Sequence, residues 1–154
     1  MTEKLRIAEL LQRAFEGEAW HGPAVREVLA GVTARQAAAR PIASAHSIWE
    51  IVAHIAAWED VVRRRLSGEL VELTDAEDWP RDGDGGERVW AELLRRLEAG
   101  NRALRDVILA FDESRLDLPP GRNRTAAYAL MHGAIQHDLY HAGQIAVLKK
   151  GAGA

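Results

Sequence analysis

The chain has 154 residues, 47% of them apolar and 28% charged, with 20 lysines and arginines against 23 aspartates and glutamates for a formal net charge of −3. A chain of this size buries about 68 to 70% of its unfolded surface, so one domain over residues 1–154 is expected, while the acidic balance argues against disorder and against nucleic acid as a partner. The absence of cysteine excludes disulfides, thiolate ligands and cysteine nucleophiles together, and leaves His, Asp, Glu or water to hold any metal.

The first helix is expected from about Thr2 to Gly17, with Leu5, Ile7, Ala8, Leu11 and Phe15 on its apolar face. Its alternation of charged and apolar residues lacks the continuous apolar run of a signal peptide, and nothing later approaches the roughly 20 apolar residues of a membrane span. The expectation is a soluble, cytoplasmic protein with no membrane partner. After the His21-Gly22-Pro23 break, Pro23 suits the first position of a short helical piece that carries Val25, Val28 and Leu29 and ends near Gly31. Residues 32–45 read as an Ala-rich connector with one short helical turn.

The second major helix starts at Ser44 or Ser47 as its cap, with Ile48, Ile51, Ile55, Trp58 and Val62 marking a buried stripe. The triplet Arg63, Arg64 and Arg65 suits the negative end of that helix's dipole better than it suits phosphate binding. From Ser67 to Gly86 the chain is turn-rich. This segment is acidic, but the spacing of a calcium-binding loop is absent, and Gly83-Asp84-Gly85 does not extend to a dinucleotide fingerprint because Arg88 stands where a glycine is needed.

A third helix is expected from Glu87 to Phe111, its face built from Val89, Trp90, Leu93, Leu94, Leu97, Leu104, Val107, Ile108 and Phe111, with Gly100 and Asn101 weakening its middle. A Pro119-Pro120-Gly121 turn leads to Thr125 as the cap of a fourth helix that runs to about Lys150. No stretch sustains the period-2 alternation of a half-buried strand. The fold class is therefore all-α, a four-helix bundle with a long crossover loop between the second and third helices.

In the fourth helix Leu130, Ala134, His137, His141, Ile145 and Leu148 recur at steps of three and four, which places both histidines on the core-facing stripe. Residues four apart project within about 40° of each other, one turn apart, so two imidazoles can reach one ion. His54 lies at or beside the buried stripe of the second helix and is the leading third ligand. Three neutral nitrogens would leave a position for water or substrate, the catalytic form of such a site. Pattern alone leaves a second reading open, that these are core histidines satisfied by hydrogen bonds.

Around the three, His132 points about 140° away from His137 along the helix, His46 lies near the start of the second helix, and His21 reads as a loop residue. The run His137-Asp138-x-x-His141 has the form of a metallopeptidase motif with a shortened acid. Asp138 is weak as a base, since at about 100° from His137 it faces solvent or ties down a neighbouring helix. Glu50 and Gln144 are better placed as groups supporting the ligands.

Three blocks then carry a resemblance: Trp20 to Val32, His46 to Glu59, and Gln136 to Lys150. In that order and spacing the chain resembles the DinB/YfiT-like family of metal-binding four-helix bundles over nearly its whole length. The resemblance implies one histidine from the second helix and two from the last, falling on His54, His137 and His141. It also implies a divalent ion, nickel or zinc, an open coordination position, and a homodimer. Members that look like this include transferases using low-molecular-weight thiols and a thiol-dependent isomerase, so the implied function is a metal-dependent transferase joining such a thiol to a small electrophilic substrate. The alternatives are a metal-dependent hydrolase using Asp138 or Glu50 as base, and a non-enzymatic, stress-related metal-binding module.

Overall fold

The computed structural model describes residues 1–81 and 85–153, and all of its regular elements are helical. Asp82, Gly83 and Asp84, on which the calcium and dinucleotide questions turned, lie outside the described residues.

Helix α1 (Glu3–Glu16) buries Ile7, Ala8, Leu11, Ala14 and Phe15. Leu5, expected on that face, is exposed, because two positions before Ile7 is about 160° around the helix from it. Helix α2 (Val25–Leu29) starts two residues after Pro23, where the Ala24 N–H donates to the Glu27 carboxylate at 2.8 Å, and it buries Val25, Val28 and Leu29. Helix α3 (Ala34–Ala38) is the short turn expected in the connector, with Thr33 and Gln36 capping its start reciprocally.

Helix α4 (Ile48–Leu66) starts at Ser47, whose hydroxyl accepts from the Glu50 N–H while the Glu50 side chain accepts from the Ser47 N–H. The connection that follows is not bare loop. It carries α5 (Asp75–Asp78), capped by Thr74 and Glu77, a capping signature at Thr74 that the turn-rich composition hid.

Helix α6 (Gly86–Ala110) runs unbroken through Gly100 and Asn101. Asn101 does not weaken it because its side chain is buried and donates to Glu59 on α4 at 2.6 Å. A 3-10 turn at Glu113–Arg115 leads to the proline turn, where Gly121 has φ 55° and passes so close to Gly68 that a Cβ there would meet the Gly68 carbonyl.

Helix α7 (Ala127–Gly151) begins after Ala126 rather than at Thr125. Thr125 is unnecessary as a cap because the carbonyls of Leu118 and Leu116 accept from the N–H groups of Ala127 and Tyr128 at 3.0 and 2.8 Å. At the other end Lys149 donates to the carbonyls of Val28 and Ala30, pinning the end of α2 onto α7.

Helices α1 and α4 each pack against both α6 and α7, which sets the four long helices in a bundle. Two buried clusters fill it. One surrounds Trp49, Trp90, Leu97 and Ile145, and the other surrounds Leu11, Leu104, Ile108 and Met131. The stripe that α7 turns inward is Met131, Ala134, Asp138, Ala142 and Ile145 with His141 beside it. Asp138 thus occupies the centre of the buried face where His137 was expected, and His137, one residue earlier, is displaced to its edge. No described helix is long and apolar enough to cross a membrane.

Candidate metal centre

The packing of α4 on α7 brings His54, His137 and His141 together, with one ring nitrogen of each within 4.8 Å of the others. The Nε2 of His137 is 3.0 Å from that of His54 and 3.1 Å from that of His141. Two nitrogens bound to a single ion at about 2.0 to 2.1 Å stand roughly 3.0 to 3.4 Å apart, so the spacing suits neighbouring ligands of one ion. His54 and His141 are buried and His137 is half-exposed.

The outer nitrogens fix the tautomers of two rings. His54 Nδ1 is 2.6 Å from the Asp78 backbone carbonyl and 3.1 Å from its Oδ1, and His141 Nδ1 is 2.6 Å from Gln144 Oε1. Carbonyl oxygens only accept, so Nδ1 carries the proton on both rings and their Nε2 lone pairs turn inward. At most one proton, on His137, then separates three converging nitrogens. A cation resolves that arrangement, and three neutral imidazoles are a donor set suited to a divalent transition-metal ion.

The cluster stays in its neutral form. Burial pushes the His137 ring down to about 3, assisted by His141 and His54 as potential like charges. Burial likewise lowers His54 against the pull of Asp78, and lowers His141 against its bond to Gln144. These are the protonation states that metal ligation needs.

Residues of the connection after α4 form one wall. Trp79 stacks on His54 at 3.8 Å with its ring 5° from parallel, and His46 stacks on the opposite face of Trp79 at 3.6 Å and 5°. The Trp58 indole N–H donates to Asp78 Oδ1 at 2.6 Å. Glu50 sits behind this wall rather than at the ligands, held by Arg40 at 2.5 Å and by His46 at 3.2 Å. Burial alone would raise its carboxyl, but the Ser47 N–H, His46 and Arg40 together hold it below its usual range. Gln144 is in the supporting position expected for it. His132 packs on Tyr128 at 4.3 Å, and neither it nor His21 joins the cluster.

Asp138 is fully buried against α4, not exposed as one of the two sequence readings had it, and it meets Glu59, which sequence reasoning missed. Glu59 accepts from Asn101 through one oxygen, whereas its other oxygen and both of Asp138's lack a geometrically good partner. Burial pushes both carboxyls upward, Asp138 to about 8; the charge of Asp138 raises Glu59 further, while a hydrogen bond with Glu59 favours the charged Asp138 and acts to lower it. The two therefore share a proton at neutral pH. Asp78 and Trp79 were missed because a contact between residues 54 and 78 is tertiary. The signal for them was a tryptophan placed in an otherwise polar, acidic segment.

Beside the histidines opens a cavity of about 400 Å³ whose lining includes His54, Trp58, Val62, Arg65, Leu130 and His137. It gives an ion held there access to a small molecule. A family model described as the DinB superfamily matches residues 19–145, and no curated protein or solved structure matches the chain.

Proposed function

The chain belongs to the DinB superfamily, and from that premise we propose that His54, His137 and His141 hold one divalent ion, nickel or zinc, in a transferase that joins a low-molecular-weight thiol to a small electrophile. The observation that carries this reading is three inward-facing Nε2 atoms at the edge of a cavity, with no carboxylate among the converging ligand atoms. A bound ion would supply Lewis acidity, lowering the pKa of a thiol so that it is a nucleophile at neutral pH. The protein lacks cysteine, so the thiol arrives as cosubstrate.

The chain's own residues have distinct tasks in this reading. Asp78 and Gln144 hold the outer nitrogens of His54 and His141, which fixes the direction of the inner ones. Trp58 and Trp79 keep water from one side of the rings. The hydrolytic alternative is the weaker reading, since Glu50 is engaged with Arg40 and His46, and Asp138, although it lines the cavity with Glu59, is buried and holds its proton to about pH 8. We read residues 1–154 as one domain, because α1, outside the matched span, packs on α6 and α7. A second copy of the chain is the proposed macromolecular partner, on the exposed Tyr140 and Val147 of α7.

The test uses protein made without a polyhistidine tag. Elemental analysis should give about one ion per chain and none in His137→Ala. Monochlorobimane should then be consumed at a metal-dependent rate with at least one of several bacterial thiols, and a metal-loaded protein inactive with all of them would sink the transferase assignment.

A further inference from the structure

Three consecutive arginines end α4, and they do not have the same surroundings. Arg63 pairs with Asp60 at 2.6 Å, and Arg64 pairs with Glu69 at 2.8 Å. Arg65 has no carboxylate within ion-pair distance among the described residues. Its Nε and Nη2 both donate to one backbone carbonyl, that of Val71, at 3.1 and 2.6 Å, and its Cζ lies 5.7 Å from the centre of the Trp58 ring.

This guanidinium lines the same cavity as His54 and His137. Trp58 connects the two ends, its ring 6.1 Å from that of His137 on one side and carrying Arg65 on the other. The indole cannot swing away, because its N–H is bound to Asp78. Between the ends the wall is mainly apolar, from Val62, Leu130 and Ala134, with the buried Glu59 and Asp138 also lining it.

A guanidinium with five N–H groups, two of them on a carbonyl, retains Nη1 and part of Nη2 for a planar anion. Its contacts with Trp58 and Val71 hold the fork in place, so little side-chain freedom is lost when it binds. A role limited to stapling the Val71 carbonyl accounts for the two hydrogen bonds, but not for a guanidinium on the cavity wall that pairs with none of the described carboxylates, although Glu59, Asp78 and Asp138 line the same cavity.

We propose that this cavity receives a small molecule with a flat apolar body and a carboxylate, the body lying against Trp58 and the carboxylate on Arg65, with its other end toward His137. This deepens the transferase reading by naming the electrophile's class, and it rests on that reading only for the word electrophile. The binding itself requires no turnover, so it can be tested whether or not the chain transfers a thiol.

The experiment is calorimetric titration of the full-length protein with benzoate and with benzamide, which have the same shape but differ in charge. It is run on zinc-loaded and on EDTA-treated protein, to separate the arginine from direct ligation of the ion. Wild type should bind benzoate about tenfold tighter than benzamide in both states, as expected for charge-assisted hydrogen bonds. Arg65→Gln should abolish the preference while leaving benzamide affinity unchanged, which also shows the cavity intact. Arg65→Lys, which keeps charge without the fork, should recover part of it. A preference that survives Arg65→Gln, one present only with zinc, or no binding of either probe would each overturn the proposal.

Discussion

Replacing both Glu59 and Asp138 by their amides should remove a pH dependence that wild type carries in its core. In the folded protein burial, with the charge of Asp138 acting on Glu59, keeps a proton on this pair at neutral pH. In the unfolded chain both groups ionise near pH 4. The folded state therefore binds more protons, and stability falls as pH rises, by about 1.4 kcal/mol per pH unit for each proton retained. The contribution is fully present below the unfolded pKa and is lost as pH climbs toward the folded value, about 8 for Asp138.

The histidine cluster acts with the opposite sign. Its folded pKa values are depressed, so its contribution is present above about 6.5 and is lost as pH falls below it. Between pH 7 and 8 the cluster is neutral in the folded protein and mostly neutral in the unfolded chain, so it adds the same small rise to wild type and variant, and the carboxyl pair is read from their difference. Urea unfolding of EDTA-treated protein, extrapolated to water at each pH, should show wild type losing about 1 kcal/mol relative to the double variant across that unit, since a proton that titrates at about 8 is half gone at its upper end. The Glu59→Gln, Asp138→Asn double variant should lack that fall and be more stable than wild type at pH 8 by about 1 to 4 kcal/mol. Asn101 keeps its acceptor, and the introduced amides can donate to each other. An unchanged slope, or a double variant less stable at pH 8, would refute the shared proton.

Two further outcomes concern the proposed ligands. Gln144→Ala should weaken metal binding by about 10- to 100-fold, measured by chelator competition, with no loss of helicity by circular dichroism. Because all three imidazoles titrate below their ordinary range, affinity should fall by less than tenfold from pH 7.5 to 6. Three unperturbed histidines would lose roughly 50-fold over the same interval, so a loss of that size would show that the metal-free site is not held neutral.

The four long helices could be read from the sequence because α1, α4 and α6 each have an apolar face with period 3.6, while α7 is a long apolar run, and clear breaks set them apart, as at Ser47 for α4 and at Pro119-Pro120-Gly121 before α7. His137 and His141 were visible as a spacing within one helix. His54 needed both a pattern and a family resemblance, because nothing within α4 says which residue of α7 it meets. The sequence leaves Asp138 open between solvent and a neighbouring helix, and the second is what the structure shows. Centring the stripe on His137 turns the aspartate toward solvent, whereas centring it one residue later buries it, and the helix is apolar on so many sides that its pattern does not choose.

The residues that did not show in the sequence are the ones that make the histidines a site rather than a cluster. Left alone, His54 could rotate about its χ angles and its tautomer would be undetermined. The carbonyl of Asp78 fixes that tautomer, and Trp79 fixes the ring plane, with His46 closing the far side of the stack. All of this comes from the segment between α4 and α6, whose own turn α5 is positioned by Thr74 and Glu77. Ordering that segment orients a ligand on α4, so a change at Trp79 would reach an ion at the Nε2 atoms without touching it. The same segment supplies, at Val71, the carbonyl that steadies Arg65. One connection thus sets the geometry at both ends of the cavity, which on the proposed reading makes it the part of the fold where metal binding and ligand choice would be coupled.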